Sequence, residues 1–216
     1  MTQPMQIDFV SDVSCPWCVI GLGALEAALE RIGGEVRAEI HFQPFELNPD
    51  MPPEGENIVD HVGWKYGASA RQSASNRQAI NERAAEVGFT MAMNGDSRIY
   101  NTFDAHRLLH WAGIEGRQQG LKHALFEAYF TRGENPSDLE TLVDVAGRAG
   151  MDEAAARDVL TSGRYADDVR IAEAQWREAG VTAVPAVVVN QRYLIVGGQP
   201  SEVFERALRK IAAEAA

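Results

Sequence analysis

Cysteine is nearly absent from this chain. It occurs twice in 216 residues, at Cys15 and Cys18, which excludes a scaffold stapled by several disulfides and a zinc module built on four thiolates. Basic residues are also scarce, 20 against 31 acidic ones for a net charge of −11, and no basic run tracks phosphates. Nucleic acid and anionic membranes are therefore poor partners. No apolar run is long enough to span a bilayer, and no internal repeat or low-complexity linker interrupts the chain. The first residues, MTQPMQIDFVSDV, carry neither Lys nor Arg and no long apolar stretch. They do not read as a secretory signal, and a cytoplasmic location is expected. With 45% hydrophobic residues, the chain can bury a substantial core in one large domain, or in one domain carrying an insertion.

The two cysteines stand as Cys15-Pro16-Trp17-Cys18, after the apolar run Ile7-Asp8-Phe9-Val10 and before an amphipathic segment. Strand, turn, cysteine and helix in this order point to a redox dithiol. At the start of a helix, unpaired backbone N–H groups and the positive end of the dipole favour a Cys15 thiolate. Cys18, one turn in, is shielded and acts second. Two other readings compete: a pair of inert buried cysteines, and a metal site completed by His41, His61, His106, His110 or His123. No histidine lies at finger-like spacing from Cys18, and no resident metal is expected.

Periodicity predicts a strand over 5–10, then a helix over about 16–32 with Leu22, Leu25, Leu29 and Ile32 on one face and a stop at Gly33-Gly34. Gly21 and Gly23 weaken that helix near its start, so a kink is expected there. Alternation from Val36 to Phe45 predicts a second strand with one buried face, completing a parallel right-handed unit. Asn48-Pro49 and the run Met51-Pro52-Pro53-Glu54-Gly55 break the chain, and helices follow until Val184. Asn101 is expected to cap one of them, Pro136-Ser137-Asp138-Leu139-Glu140 to form a capping box, and Ala68–Arg83 carries the weakest pattern. Trp64, Trp111 and Trp176 are expected in the core of this helical block. Ala183–Val189 and Tyr193–Val196 read as a hairpin, and a last helix starts near Pro200 or Ser201. One sheet built from both ends of the sequence is implied.

This order resembles the DsbA family of thiol-disulfide oxidoreductases, a thioredoxin-like fold (βαβ…ββα) interrupted by an all-helical insertion. It is similar in particular to the family's FrnE-like branch, which is cytoplasmic. The residues that carry the resemblance are Ser11–Gly21 around the dithiol, Pro44-Phe45-Glu46-Leu47-Asn48-Pro49, Asn101–Leu108, Gly180-Val181-Thr182-Ala183-Val184-Pro185 and Gly198-Gln199-Pro200. The resemblance implies a discontinuous domain of residues 1–48 and 174–216 around an insertion of residues 49–173. It implies Cys15 as an exposed nucleophile, Cys18 as the resolving thiol, and Pro185 as a cis-proline facing them. Pro16, Trp17, Val184, Asn48, His106 and Gln199 are the implied substrate-binding residues.

The expected activity is oxidation, reduction or isomerisation of disulfides through a mixed disulfide, on a thiol- or disulfide-containing protein or small molecule. No cofactor is implied beyond the redox-active pair, with glutathione as a co-substrate one option, and no oligomeric state follows. Two alternatives stay open: a glutathione-dependent isomerase or transferase of the 2-hydroxychromene-2-carboxylate isomerase or kappa type, whose members typically carry serine where Cys15 stands, and a non-enzymatic redox-sensing or chaperone-like binding module. Asp12 is a candidate for proton transfer near the dithiol or, equally, an acceptor of backbone hydrogen bonds.

Overall fold

The first apolar run forms β1 Met5–Ser11, which is buried almost throughout because it is an inner strand. It pairs in parallel with β2 Ala38–Pro44 and antiparallel with β5 Ala186–Val189. β5 pairs in turn with β6 Tyr193–Val196, giving a four-stranded sheet in the order β2-β1-β5-β6. The structure is a computed structural model that describes residues 4–52 and 54–215. Pro53, part of the expected break, lies outside the described residues.

Helix α1 Pro16–Ile32 runs without a break through Gly21 and Gly23. The two glycines serve close approach. A Cβ on Gly21 would stand 3.0 Å from Pro185 Cγ, and one on Gly23 would stand 3.0 Å from Val87 Cβ. The helix ends at Gly33, whose φ of 59° fits a residue without a side chain. β2 keeps the expected alternation: Phe42 is buried in the core and Val36, Ala38 and Ile40 pack against it, while Glu39 and His41 are exposed. It is an edge strand. Its main chain at Phe42 is closed by the Gln118 side chain, which accepts from the Phe42 N–H at 2.9 Å and donates to the Phe42 carbonyl at 3.0 Å.

Between β2 and β5 the chain forms α2 Ile58–Tyr66, α3 Ala70–Glu86, α4 Phe103–Ile114, α5 Gln118–Phe126, α6 Leu139–Arg148, α7 Glu153–Ser162 and α8 Ala166–Glu178. α5 runs on into a wider turn over Glu127–Thr131. The weakly patterned stretch is helical because Ser69 and Gln72 cap α3 reciprocally. The region between β2 and β5 also carries a short antiparallel pair, β3 Glu56–Asn57 with β4 Arg98–Ile99, too brief to leave a period in the sequence. At the start of α4 the cap position falls on Thr102, while Asn101 accepts from the Phe103 N–H at 2.9 Å. Asp138 caps α6 through the Thr141 N–H, and Glu140 turns to Arg157 rather than closing a capping box. Residue 173, the expected end of the insertion, lies within α8. Helix α9 Ser201–Ala215 returns to pack on α1.

Two cores meet at the dithiol turn. One joins Ile7, Phe9, Cys18 and Leu25 to Phe204 of α9 and to Phe126 and Phe130 of the helical block. The other lies among α4–α7, with Leu108, Leu121, Leu142 and Val159, and takes in Val13. Trp111 joins the second core, but Trp64 does not. It is 67% exposed, held on the surface of α2 by its N–H bond to Glu56 at 3.1 Å. Trp176 packs beside Val10, Phe45 and Ala186 rather than within the helical block.

Arg107 ties this block together. Its buried guanidinium donates to the carbonyls of Arg164 (2.8 Å), Leu160 (3.2 Å) and Val159, and pairs with Asp104 at 2.7 Å. Truncation leaves buried carbonyls at the end of α7 without donors, each costing about 1–3 kcal/mol. Arg107→Ala is expected to lower stability by about 3 kcal/mol in urea unfolding. A loss below about 1 kcal/mol would contradict this clamp.

Candidate active site

The dithiol is placed by backbone geometry. Cys15 is the N-cap residue of α1, extended at φ −91° and ψ 112°, and Pro16 opens the helix where a missing N–H costs nothing. The Cys15 N–H donates to the Asp12 carbonyl at 3.3 Å and the Cys18 N–H to the Cys15 carbonyl at 3.0 Å. Both cysteines are free thiols. Val184-Pro185 is a cis peptide, and the Cys15 thiol donates to the Val184 carbonyl at 3.6 Å across the chain. Residues 15, 184 and 185 are thereby brought together from opposite ends of the sequence.

Cys15 is 3% exposed, so it is not an open surface thiol. It lines a groove of about 710 Å³, walled on one side by Pro16, Trp17 and Val184 and on the other by helices α2 and α3. Cys18 lies beneath, fully buried. Burial pushes its thiol well above the ordinary range, and the hydrogen bond and charge of Cys15 push the same way against the opposing charge of Lys122.

Asp12 is the pivot of the site. It is fully buried, with Oδ1 accepting the Ser14 N–H at 3.1 Å and Oδ2 the Leu47 N–H at 2.7 Å. His106 Nε2 lies 3.7 Å from Oδ1. Burial raises the Asp12 carboxyl, but His106 and the two amides together outweigh it and hold the group below its ordinary value. The aspartate thus binds the dithiol turn, the loop after β2 and helix α4 in one knot.

Of the expected substrate-binding residues, Pro16, Trp17, Val184 and Asn48 line the groove. Asn48 Oδ1 is held at 3.0 Å from His61 Nε2 and at 2.5 Å from Lys65 Nζ. His106 and Gln199 are placed elsewhere. His106 sits behind Asp12 and lines a separate cavity. The Gln199 side chain turns back to the Val196 carbonyl at 2.7 Å and borders a third. Sequence reasoning passed over the groove residues Lys65, Arg77 and Arg177. They lie on three helices at unrelated spacings, and no single-helix pattern marks them.

Glu46 also faces the groove. Its fully buried side chain pairs with Arg170, which also holds Glu173 at 3.0 Å. Arg177 donates to the Glu46 carbonyl at 3.1 Å, and the Glu46 N–H donates to Glu173 at 2.9 Å. Burial, reinforced by the charge of Glu173 and weakly by Asp12, raises the carboxyl to about 7 against the pull of Arg170.

The DSBA-like thioredoxin domain model matches residues 6–209. The chain belongs to this family. It is 27% identical over 205 residues to the uncharacterized protein YwbO of Bacillus subtilis, spanning 94% of this chain and 96% of that protein. A probable DsbA oxidoreductase from Streptomyces coelicolor superimposes with a TM-score of 0.88 at 33% identity, covering 95% of this chain and 89% of that one. A 2-hydroxychromene-2-carboxylate isomerase shares the fold, with a TM-score of 0.70 at 16% identity over 97% of both chains. The order of strands and helices expected for a DsbA-type fold is thus the observed one.

The raised Glu46 carboxyl has a pH consequence. The folded state holds this proton more tightly than the unfolded chain does, so its contribution to stability is full below about pH 4.5 and is lost as pH rises through about 7. Glu46→Gln removes that loss. The melting temperature of Glu46→Gln relative to the parent protein is expected to rise between pH 5 and pH 8, and a difference that stays flat would contradict the buried-carboxyl account.

Proposed function

We propose that this protein is a protein-disulfide oxidoreductase that exchanges thiols and disulfides through Cys15 and Cys18. The observation that carries the reading is the pairing of a groove-lining Cys15, at a helix N-terminus and 3.6 Å from the Val184 carbonyl, with a Cys18 closed off beneath it. In the reducing direction the Cys15 thiolate attacks a substrate disulfide and one substrate sulfur leaves as thiolate. The Cys18 thiolate then attacks the Cys15 sulfur, forming the Cys15–Cys18 bond and releasing the second substrate thiolate. The dithiol is oxidised and the substrate is reduced by two electrons. Run backwards, the same steps oxidise a substrate dithiol.

The groove argues for what docks there. At about 710 Å³ it has the size of a small-molecule or short-peptide site. Lys65, Arg77 and Arg177 on its walls favour an acidic group on the incoming thiol. We read the substrate as an extended cysteine-bearing peptide or a small thiol of glutathione's size, with the Val184 backbone beside the reacting sulfur. The pattern Pro44–Pro49 supports placement in the FrnE-like branch. A reducing compartment such as the cytoplasm suits a chain whose only two cysteines form the reactive pair.

Two variants test the assignment. Cys18→Ala is expected to accumulate a mixed disulfide with glutathione or a peptide substrate, seen by intact-mass measurement, because resolution is blocked. Cys15→Ala is expected to lose disulfide reduction in an insulin assay. Trapping through Cys18 instead would reverse the roles. Isomerase turnover that survives both substitutions would favour the glutathione-dependent alternative, and reversible oxidation without turnover would favour a redox sensor.

A further inference from the structure

Lys65, Arg77 and Arg177 all line the groove, but they are not equally committed. Lys65 spends two of its three donors on the Leu47 carbonyl at 2.8 Å and on Asn48 Oδ1 at 2.5 Å, which braces α2 against the loop after β2. Arg177 lies over the Phe45 ring at 4.4 Å and donates to the Glu46 carbonyl at 3.1 Å. Lys122 of α5 is fully buried and lines no part of the groove. Arg77 of α3 is half-buried and donates only to Ser73 Oγ, at 2.8 Å. No carboxylate stands within ion-pairing distance of it among the described residues. A guanidinium has five N–H donors, so most of its binding capacity is open.

The groove residues of α3 are Ser73, Asn76, Arg77 and Ile80, at the i, i+3, i+4, i+7 spacing of one helix face. A face turned inward at this spacing is ordinarily apolar. Here three of the four positions are polar, and Ser73 is buried where it holds Arg77. The rest of the lining differs. Leu47, Ile58, Val62, Met93 and Ile99 face the groove with Ile80, and Glu46, the one acidic residue of the lining, is paired with Arg170. An occupant therefore meets one open guanidinium in a largely apolar setting. The chain as a whole carries a net charge of −11, so an anion is drawn by this residue and not by the general field of the protein.

We propose that Arg77 is the specificity residue of the groove, and that the substrate is a small thiol or disulfide with an apolar body and a carboxylate that pairs with Arg77. The inference rests on the thiol–disulfide reading above and narrows it. In the first exchange the Cys15 thiolate attacks one sulfur of the substrate disulfide, a new S–S bond forms, and the other sulfur leaves with the electron pair as thiolate. Arg77 takes no part in that bond-making. A guanidinium offers a carboxylate two parallel N–H bonds, and Arg77 acts by binding and orienting the substrate. Glutathione, polar along its length, matches the apolar lining less well.

The test uses two disulfides of one ring system. 2,2′-Dithiodipyridine is neutral, 6,6′-dithiodinicotinate adds a carboxylate to each ring, and both release a coloured thione when a thiolate attacks. Each is mixed in stopped flow with the reduced protein, and each rate is divided by that of the same disulfide with 2-mercaptoethanol. The parent protein is expected to prefer dithiodinicotinate by about tenfold or more. Arg77→Gln is expected to erase most of that preference while dithiodipyridine stays within about twofold of its parent rate, and Arg77→Lys to keep part of the preference. Arg71→Gln removes the same charge from an exposed position of α3 and is expected to leave the preference unchanged. No preference in the parent, equal slowing of both disulfides in Arg77→Gln, or an equal loss of preference in Arg71→Gln would overturn the role of Arg77. Glutathione disulfide, followed by loss of protein thiols and normalised in the same way, is expected to react more slowly than dithiodinicotinate. A faster reaction would overturn the apolar body of the substrate. Thione release at the parent rate from Cys15→Ala would instead overturn the dithiol reading, and this inference with it.

Discussion

A carboxylate removed from water must be satisfied by the protein, and Asp12 accepts two main-chain hydrogen bonds while a third part of the chain sets a ring nitrogen 3.7 Å away. Ser14 supplies an amide from the dithiol turn, Leu47 an amide from the loop after β2, and His106 a ring nitrogen from α4. An unpaired buried carboxylate would cost several kcal/mol, so these three elements hold one another in place. The dithiol sits on one side of that knot, the groove opens on the Leu47 side, and the helical block closes over the His106 side. Val13, next to Asp12, belongs to the helical core, while Cys15 and Cys18 belong to the sheet core. The active turn is therefore the seam between the two.

The fold was legible where the pattern is local. β1, α1, the hairpin of β5 and β6, and α9 follow from short apolar runs, Gly33 and the turn at Asn190-Gln191, whose φ values of 52° and 55° match a hairpin turn. Other features depended on partners distant in sequence. The main chain of the β2 edge at Phe42 is closed by Gln118, seventy-six positions away. Gly21 and Gly23 look like helix breakers until Pro185 and Val87 are seen against them.

The site divides in the same way. Cys15, Cys18 and the Val184-Pro185 turn could be read from residue type and spacing together with family likeness. Asn48 could too, because its loop carries a recognisable run of residues. His106 and Gln199 belong to equally recognisable segments, yet their side chains turn to Asp12 and to the Val196 carbonyl. Lys122 gave no signal at all, and Glu46 none beyond its place in the run Pro44–Pro49. A glutamate after a strand and a lysine in an amphipathic helix are ordinarily solvated, and only tertiary burial makes them chemically unusual.

The central claim is that Cys15 and Cys18 form one reversible two-electron couple at the floor of the groove. The direct test is a redox titration of the purified protein against glutathione buffers of graded ratio, with acid quenching, thiol blocking and peptide mass mapping. The account predicts a single transition between the free dithiol and an internal Cys15–Cys18 disulfide, following a two-electron law. Accumulation of stably glutathionylated protein with no internal disulfide at any ratio would contradict it.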